Sequence, residues 1–410
     1  MKTLIVLECE RYIQPFMRAM LNVAQEHYDK IIIITNPLKK GDSINSDKIS
    51  HIEIDNKTRK KSIISAPLRL FSIDTIRQIA SAISKGKFNK EYLGFLRLYL
   101  CYGKAFYLKA KPYVIEGLKN GEVHVLSCWF AVEAWSTALL KKKFPNVKAF
   151  SLAHSFEIDP LKNRFVDLTF NRSKHKYLDK IYFISTKMRD IYNENTQNIY
   201  AQEYKHQMDV SYLGCIKLFD CVNPYHDDGK IKLVSCSYMR PEKRIDLIMD
   251  VMSKWTLCPV KWAHLGNGPL LEEMQQRANE TMKTNKNVEI EFRGYVSNED
   301  VQKSYTTEPV DMFINLSSSE GVPVAIMEAI AYGIPVVATD VGGVSEIIED
   351  KHGLLIGATD DAERIKCSLE QFVKKYQQNA KGKRDAAYCF WKSHFDAKKN
   401  YEKFFSNLGK

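Results

Sequence analysis

Residues 317–339 read SSSEGVPVAIMEAIAYGIPVVAT. Pro323 stands where a helix would begin, because a first-turn position gives up an N–H that has no partner within the helix. Gly333 stands where that helix would end, as a C-cap. Short apolar runs flank the segment at 311–315 and 334–338. Strand, loop, helix and strand in that order predict one βαβ unit with both strands buried.

The same alternation continues on either side. Runs at 231–236, 259–265, 288–292 and 353–356 predict further strands, and stretches at 243–253, 269–282, 298–306, 323–332 and 343–349 predict helices. Such alternation is the mark of a doubly wound α/β domain, here over 206–384, with right-handed crossovers. In the first half, 1–205, strands are expected at 2–7, 31–35, 50–54, 122–127, 147–153 and 179–184, with an amphipathic stretch at 13–28. Residues 55–120, rich in Lys, Arg, Tyr and Leu, predict helix from about residue 71 onward. A linker is expected near 200–215. The tail, 385–410, holds Phe390, Trp391, Phe395, Tyr401, Phe404 and Phe405 and predicts a helix that must bury its aromatics.

At 410 residues the chain suggests two to three domains. Residues 1–7 form too short an apolar run for a signal peptide, and no run of about 18 apolar residues exists, so a cytoplasmic location is expected. Nine scattered cysteines without CxxC or metal-ligand spacing predict reduced thiols. The net charge of +11 is uneven: residues 1–205 carry +14 and the rest −3. A basic first half points to an anionic partner, for which membrane lipid, a lipid phosphate and nucleic acid are candidates; a merely soluble basic surface is the plain alternative. No nucleic-acid recognition motif is present, and no nucleic-acid partner is expected.

Helix starts expose N–H groups and the positive end of the dipole, which makes the loop before 323 an anion site. Glu328 lies about 7–8 Å up the helix from Pro323, at roughly 1.5 Å per residue. That spacing suits a carboxylate meeting a ribose while phosphates sit at the helix start. Singly, Glu320 and Glu328 would read as solvated surface carboxylates.

Together they resemble the Glu-(seven residues)-Glu signature of retaining glycosyltransferases of family four, the glycosyl transferases group 1, of the bacterial polysaccharide type. EGVPVAIMEAIAYGIPVVATDVGGVSEII, from Glu320, follows that pattern nearly continuously. The resemblance implies that Glu328 binds the donor ribose and that Glu320 contacts the transferred sugar beside the backbone of Gly321, Val322, Pro323 and Val324. In Tyr238-Met239-Arg240-Pro241-Glu242-Lys243, Lys243 falls on the family lysine that clamps the donor pyrophosphate. Tyr238 occupies the usual arginine position, leaving Arg240 or Arg244 as the second cation. A leaving diphosphate wants such a fixed cation. Gly266-Asn267-Gly268-Pro269 resembles the family's Gly-x-Gly-Pro turn, and Arg293-Gly294-Tyr295 the loop near the base. Gly342-Gly343 resembles a structural family turn.

The first half resembles the family more thinly. The Gly-Gly loop after the first strand is missing; Glu10-Arg11-Tyr12-Ile13 resembles a Glu-Thr-Phe-Ile variant instead. Ala153-His154-Ser155-Phe156-Glu157 resembles the His-Gly-x-Asp loop, which would place His154 at the reaction centre.

The implied fold is α/β, GT-B: two facing Rossmann-like domains with the donor in the cleft between them, and the C-terminal helix returning to the first domain. The implied reaction is a retaining, metal-independent hexosyl transfer from a UDP- or GDP-sugar to a glycan or lipid-linked acceptor in polysaccharide, lipopolysaccharide or capsule synthesis. No cofactor is expected, and no Asp-x-Asp arrangement is placed to hold a metal. An anionic membrane surface remains a candidate partner, which would put the chain on the inner face of the cytoplasmic membrane. The competing readings are a sugar-nucleotide epimerase of the same fold and a non-catalytic lipid-surface protein. A nicotinamide enzyme would want Gly-x-Gly-x-x-Gly after the first strand, and residues 8–14 contain no Gly.

Overall fold

The computed structural model of the chain describes residues 1–10, 13–38, 46–160 and 163–408. They form two compact units: Met1–Tyr212 together with the residues from Tyr401 onward, and Leu213–Asn400. Arg11 and Tyr12, half of the Glu10–Ile13 resemblance, lie outside the described residues.

The first unit has a parallel sheet of β1 (Lys2–Glu8), β2 (Lys30–Thr35), β3 (Ile49–Glu53), β4 (Glu122–Ser127), β5 (Lys148–Ala153), β6 (Lys180–Phe183) and β7 (Met208–Val210), in the order β3-β2-β1-β4-β5-β6-β7. The second has β8 (Ile231–Cys236), β9 (Val260–Leu265), β10 (Val288–Phe292), β11 (Met312–Asn315), β12 (Val336–Thr339) and β13 (Gly353–Ile356), in the order β10-β9-β8-β11-β12-β13 and again parallel. Helices cover both faces, which is why Ile31–Ile34 and Leu4–Leu7 are buried on successive residues rather than alternately. Each sheet reverses its order once, between β1 and β4 and between β8 and β11. Ligands of open α/β sheets collect outside the carboxyl ends of the strands at such a reversal.

Four sequence expectations need correction. The helical region after β3 begins at Asn56, not near 71; Asp55 caps the helix Asn56–Leu70 by accepting the Thr58 N–H at 2.7 Å, so the lysine-rich stretch after it is helical. The expected helix at 343–349 is one 3-10 turn, Val344–Glu346, because Gly343 N–H is held by Gly321 O at 2.7 Å. Strand β7 was not foreseen; three residues at the sheet's edge carry no apolar run. The tail is two helices, Ala380–His394 and Ala397–Asn407. Its aromatics divide accordingly: Trp391 Nε1 donates to the Cys215 sulfur at 3.1 Å in the second unit, while Phe404 packs on Tyr182 and Phe405 on Tyr28 in the first.

The nine cysteines form no disulfide. Among the described residues, no helix is long and apolar enough to cross a membrane.

Candidate functional site

In the second unit, two loops leave the strands astride the reversal. After β8 the chain runs through Tyr238 and Arg240 into a 3-10 turn, Pro241–Lys243, and Arg244 takes a left-handed φ of 49° before the helix Ile245–Ser253. After β11, Asn315 Oδ1 accepts the Ser317 N–H at 3.0 Å and its Oγ at 2.6 Å, which starts the turn. The loops are tied together by Ser318 N–H donating to Glu242 O at 2.8 Å.

That tie brings Lys243 to Glu320: the ammonium is 2.7 Å from Glu320 Oε1. The same oxygen accepts from Asn315 Nδ2 at 3.2 Å. Glu320 is buried, whereas a quarter of the Lys243 side chain (26%) remains exposed, so the cation is fixed yet reachable. Gly342 secures the loop from outside. Its φ is +56°, and a Cβ there would collide with the Glu320 carbonyl oxygen.

Four residues further on, the helix Val324–Ala331 starts from Pro323, and Glu328 lies on it, buried. The side chains of Val322 and Pro323 are turned inward, so residues 321–324 offer backbone to a ligand. The first N–H groups of this helix have no acceptor within it. Asn298 Nδ2 donates to Glu328 Oε1 at 2.7 Å; Gln302 Nε2 donates to Asn298 Oδ1 at 3.3 Å, and Tyr332 Oη donates to Gln302 Oε1 at 2.9 Å. Burial pushes the Glu328 carboxyl up to about 7, with the Asn298 bond opposing. Burial also pushes the Cys236 thiol, at the end of β8, up to about 12; Glu328 adds to the rise and Lys243 opposes it, so both charges are felt at the strand end.

The glycine turns come next. Gly266 (φ 147°) donates its N–H to Gly294 O at 2.8 Å, and a Cβ on it would strike the Ser237 carbonyl oxygen. Gly268 (φ 157°) likewise leaves no room for a Cβ, which would come within 2.6 Å of the Met239 carbonyl oxygen. The two turns thus press against the β8 loop and hold it. His264 braces the loop, donating Nε2–H to Ser237 O at 3.1 Å and accepting from Ser235 Oγ on Nδ1 at 2.8 Å; burial drops its pKa to about 4. Tyr295 is 77% exposed and its ring is open to stacking.

The arginines expected near the donor differ in what already engages them. Arg293 forks onto Glu308, with Nη1 to Oε1 at 2.7 Å, while its Nε donates to Glu291 Oε1 at 2.8 Å; these carboxylates hold its pKa up. Its guanidinium is engaged by these two carboxylates, and its neighbour Gly294 meets the Gly266 turn. Of the two arginines left open as the second cation, Arg244 donates to Ala358 O at 3.0 Å, whereas Arg240 is exposed over the Tyr238 ring, 5.2 Å from its centre. Asn298, Asn315 and Gln302 were not foreseen. Single amides at a strand end or in a first helical turn have no pattern around them to mark them.

In the first unit, His154 follows β5. Its Nε2–H donates to Cys128 O at 3.0 Å, which leaves Nδ1 as the ring's acceptor. Its ring lies 4.4 Å from Trp129 and 5.3 Å from Phe16. Burial drops its pKa to about 4, so the imidazole is neutral at ordinary pH. Glu157 accepts the His154 N–H at 3.1 Å and the Phe130 N–H at 3.0 Å, and burial pushes it up to about 8.

Residues 223–387 match the model of the glycosyl transferases group 1 family. The second unit carries a glycosyl transferases group 1 domain. The O-antigen biosynthesis glycosyltransferase WbnH of Escherichia coli is 35% identical over 120 residues, 29% of this chain and 31% of WbnH. The chain therefore matches about a third of such a relative's length. In fold, the whole chain (100%) aligns with 100% of the lipopolysaccharide outer core galactosyltransferase WaaB in its apo form, at TM-score 0.68 and 16% identity. It aligns equally (100%) with 99% of Anabaena HepE in complex with UDP, at TM-score 0.66 and 12% identity. The fold is GT-B. The residues of the second unit described above, from Arg240 to Glu328, fall inside the family match.

Proposed function

We propose that this chain is a retaining glycosyltransferase that moves a hexose from a nucleoside-diphosphate sugar to a glycan or lipid-linked acceptor in lipopolysaccharide or O-antigen-type synthesis. The observation that carries the reading is the Lys243–Glu320 pair at 2.7 Å, astride the β8/β11 reversal and followed on the same segment by buried Glu328. Lys243 is a fixed cation for the leaving diphosphate, in the role a metal ion fills elsewhere, and no metal or cofactor is needed. Glu320 meets the transferred sugar and Glu328 the ribose. The acceptor oxygen bonds to the anomeric carbon as the carbon–phosphate oxygen bond breaks, and the departing phosphate oxygen takes the acceptor proton. The UDP held by HepE supports a uridine donor.

The basic first unit works against the inner face of the cytoplasmic membrane. Co-sedimentation with anionic but not neutral vesicles, reversed by salt, is the expected behaviour.

A panel of UDP- and GDP-sugars, followed by NMR of the released sugar in the presence of EDTA, tests the activity. Slow donor hydrolysis giving the donor's own anomer is expected. Interconversion of the free nucleotide sugar without hydrolysis would make the chain an epimerase, and failure to bind any nucleotide would end the proposal.

A further inference from the structure

Residues 55–120 hold fourteen lysines and arginines and four acids. All four acids are already paired: Asp55 with Lys109, Asp74 with Lys142, Glu91 with Arg164 and Glu116 with Lys30. Among the described residues Arg59, Lys60, Lys61, Arg97 and Lys104 have no carboxylate partner. The surplus repels itself. Lys104 is pushed down to about 8, by burial first and then by Arg69, Lys111 and Lys61. A cluster with no counter-ion of its own has room for an anion from outside.

Within this region a cavity of about 320 Å³ is lined by Arg59, Arg97, Ser62, Tyr102, Ile63 and Leu98, among others. Part of its wall is a π-helical turn, Tyr99–Gly103, a wide turn often found at functional sites. Arg59 Nη2 donates to Asn36 Oδ1 at 3.0 Å, and Asn36 Nδ2 donates to Cys9 O at 2.7 Å. Asn36 follows β2 and Cys9 follows β1, so the cavity is anchored to the carboxyl edge of the sheet, the edge that also holds Trp129 and His154. Arg59 Nε is buried without an acceptor among the described residues, which is a donor still to be used.

Away from that edge the same helix turns apolar side chains to solvent. On Asn56–Leu70, Ile64 is 78% and Leu68 77% exposed, and Phe71 at its C-cap is 80% exposed. Their spacing is i, i+4, i+7, one stripe of one helix. Ile73, Ile76 and Ile83 continue it on the next helix, Ile73–Ser84, each more than half exposed. Exposed apolar residues in such a row need a partner, and the lysines beside them select an anionic one.

We propose that the cavity binds the phosphate of a lipid-linked acceptor, with Arg59 and Arg97 on the phosphate oxygens and the half-exposed Ile63, Leu98 and Tyr102 of its lining against the hydrocarbon, while the Ile64–Leu68–Phe71 stripe on the outer face of the same helix meets the membrane surface. The proposal rests on the glycosyltransferase reading for the word acceptor, and on this unit alone for the site. A group attached to the phosphate is then directed from Arg59 along Asn36 toward the strand ends. A free phosphate ester shares the headgroup chemistry but makes no use of Ile63, Leu98 and Tyr102.

The test is calorimetry on the full chain with farnesyl phosphate below its micelle concentration, farnesol and inorganic phosphate, with UDP titrated separately. Farnesyl phosphate should bind, and farnesol should bind at least about tenfold more weakly, as befits loss of a charge-assisted hydrogen bond. Arg97→Gln, at an exposed position that threatens no packing, should weaken farnesyl phosphate about tenfold and leave UDP unchanged. Arg59→Gln should do the same. Equal binding of farnesyl phosphate by wild type and Arg97→Gln, or of farnesyl phosphate and farnesol by wild type, overturns the site. Inorganic phosphate binding as tightly as farnesyl phosphate overturns the lipid as its source. Loss of UDP binding in the wild type would instead strike the glycosyltransferase reading and leave the farnesyl phosphate result standing.

Discussion

The two sheets reverse their order at equivalent places, and each reversal is bridged differently. In the second unit the bridge is an ion pair, Lys243 to Glu320, with the cation partly exposed. In the first it is Glu8, at the end of β1, accepting from Trp129 Nε1 after β4 at 2.6 Å, with the carboxyl wholly buried. Around the second bridge, polar groups are paired and a fixed positive charge reaches solvent. Around the first, burial pushes Glu8 up to about 7 and Glu133 and Glu157 to about 8, and Lys174 is buried with its ammonium on Phe130 O at 2.8 Å. One topology thus yields two kinds of edge. The edge at Lys243 presents a fixed, partly exposed cation; the edge at Glu8 presents rings and carboxyls that burial pushes up, and its own cation, Arg59 on Asn36, stands beside the neighbouring strand β2. A buried carboxyl that has lost its hydration prefers to keep its proton.

The sharpest way to break this contrast is to remove the exposed cation. Lys243→Ala should lower turnover by about 10²–10³, the scale of losing one electrostatic stabiliser, with wild-type activity unaffected by EDTA. Steady-state rates near wild type in the variant, or a strict metal requirement, would make the two edges alike in function.

A smaller effect is expected at Glu328. Its carboxyl, pushed up to about 7 by burial, must be ionised to accept hydrogen bonds from a ribose. Donor affinity should therefore strengthen as pH rises from 6 to 8, by up to roughly tenfold for one group titrating midway. A nucleotide sugar is the right probe, since its diphosphate ester does not titrate in that range. Glu328→Gln should abolish the pH dependence, and Glu328→Ala should weaken binding by about 1.5–3 kcal/mol. A pH profile identical in wild type and Gln variant would remove Glu328 from the donor.

The smallest effect is on stability in the first unit. Glu133 is buried beside Cys9 and Glu8, and burial raises its folded pKa from 4.5 to about 8. A group raised on folding contributes stability below its unfolded pKa and loses it as pH climbs through the folded value. Glu133→Gln has nothing to ionise. It should raise the melting temperature at pH 8 by roughly 2–4 °C per kcal/mol relieved, and by less at pH 5. Calorimetric scans showing the same difference at both pH values would mean that the carboxyl titrates as if exposed.

The strands of both sheets were legible because burial on both faces leaves continuous apolar runs, such as IIIIT at 31–35, and a short edge strand like Met208–Val210 escaped because it leaves none. The spacing of Glu320 and Glu328 was legible for a similar reason: eight residues on one loop and helix are a local fact. Arg293 shows the limit. Its position beside Gly294 and Tyr295 suggested a donor contact, but Glu308, fifteen residues away, takes its guanidinium. His154 was expected at the reaction centre, and sequence could not say that its ring would be buried and held on Cys128 O.

By itself, then, the sequence determined what is periodic or adjacent: the alternation of strand and helix, the helix bounded by Pro323 and Gly333, the two glutamates on one segment and the imbalance of charge between the halves. Tertiary structure alone decided which distant residues meet. Lys243 and Glu320 are 77 positions apart and Arg59 and Arg97 are 38 apart, and only the reversal of one sheet and the packing of helices beside the other bring each pair to one place. Periodicity reports the face a residue turns inward, and it carries no information about the side chain waiting there.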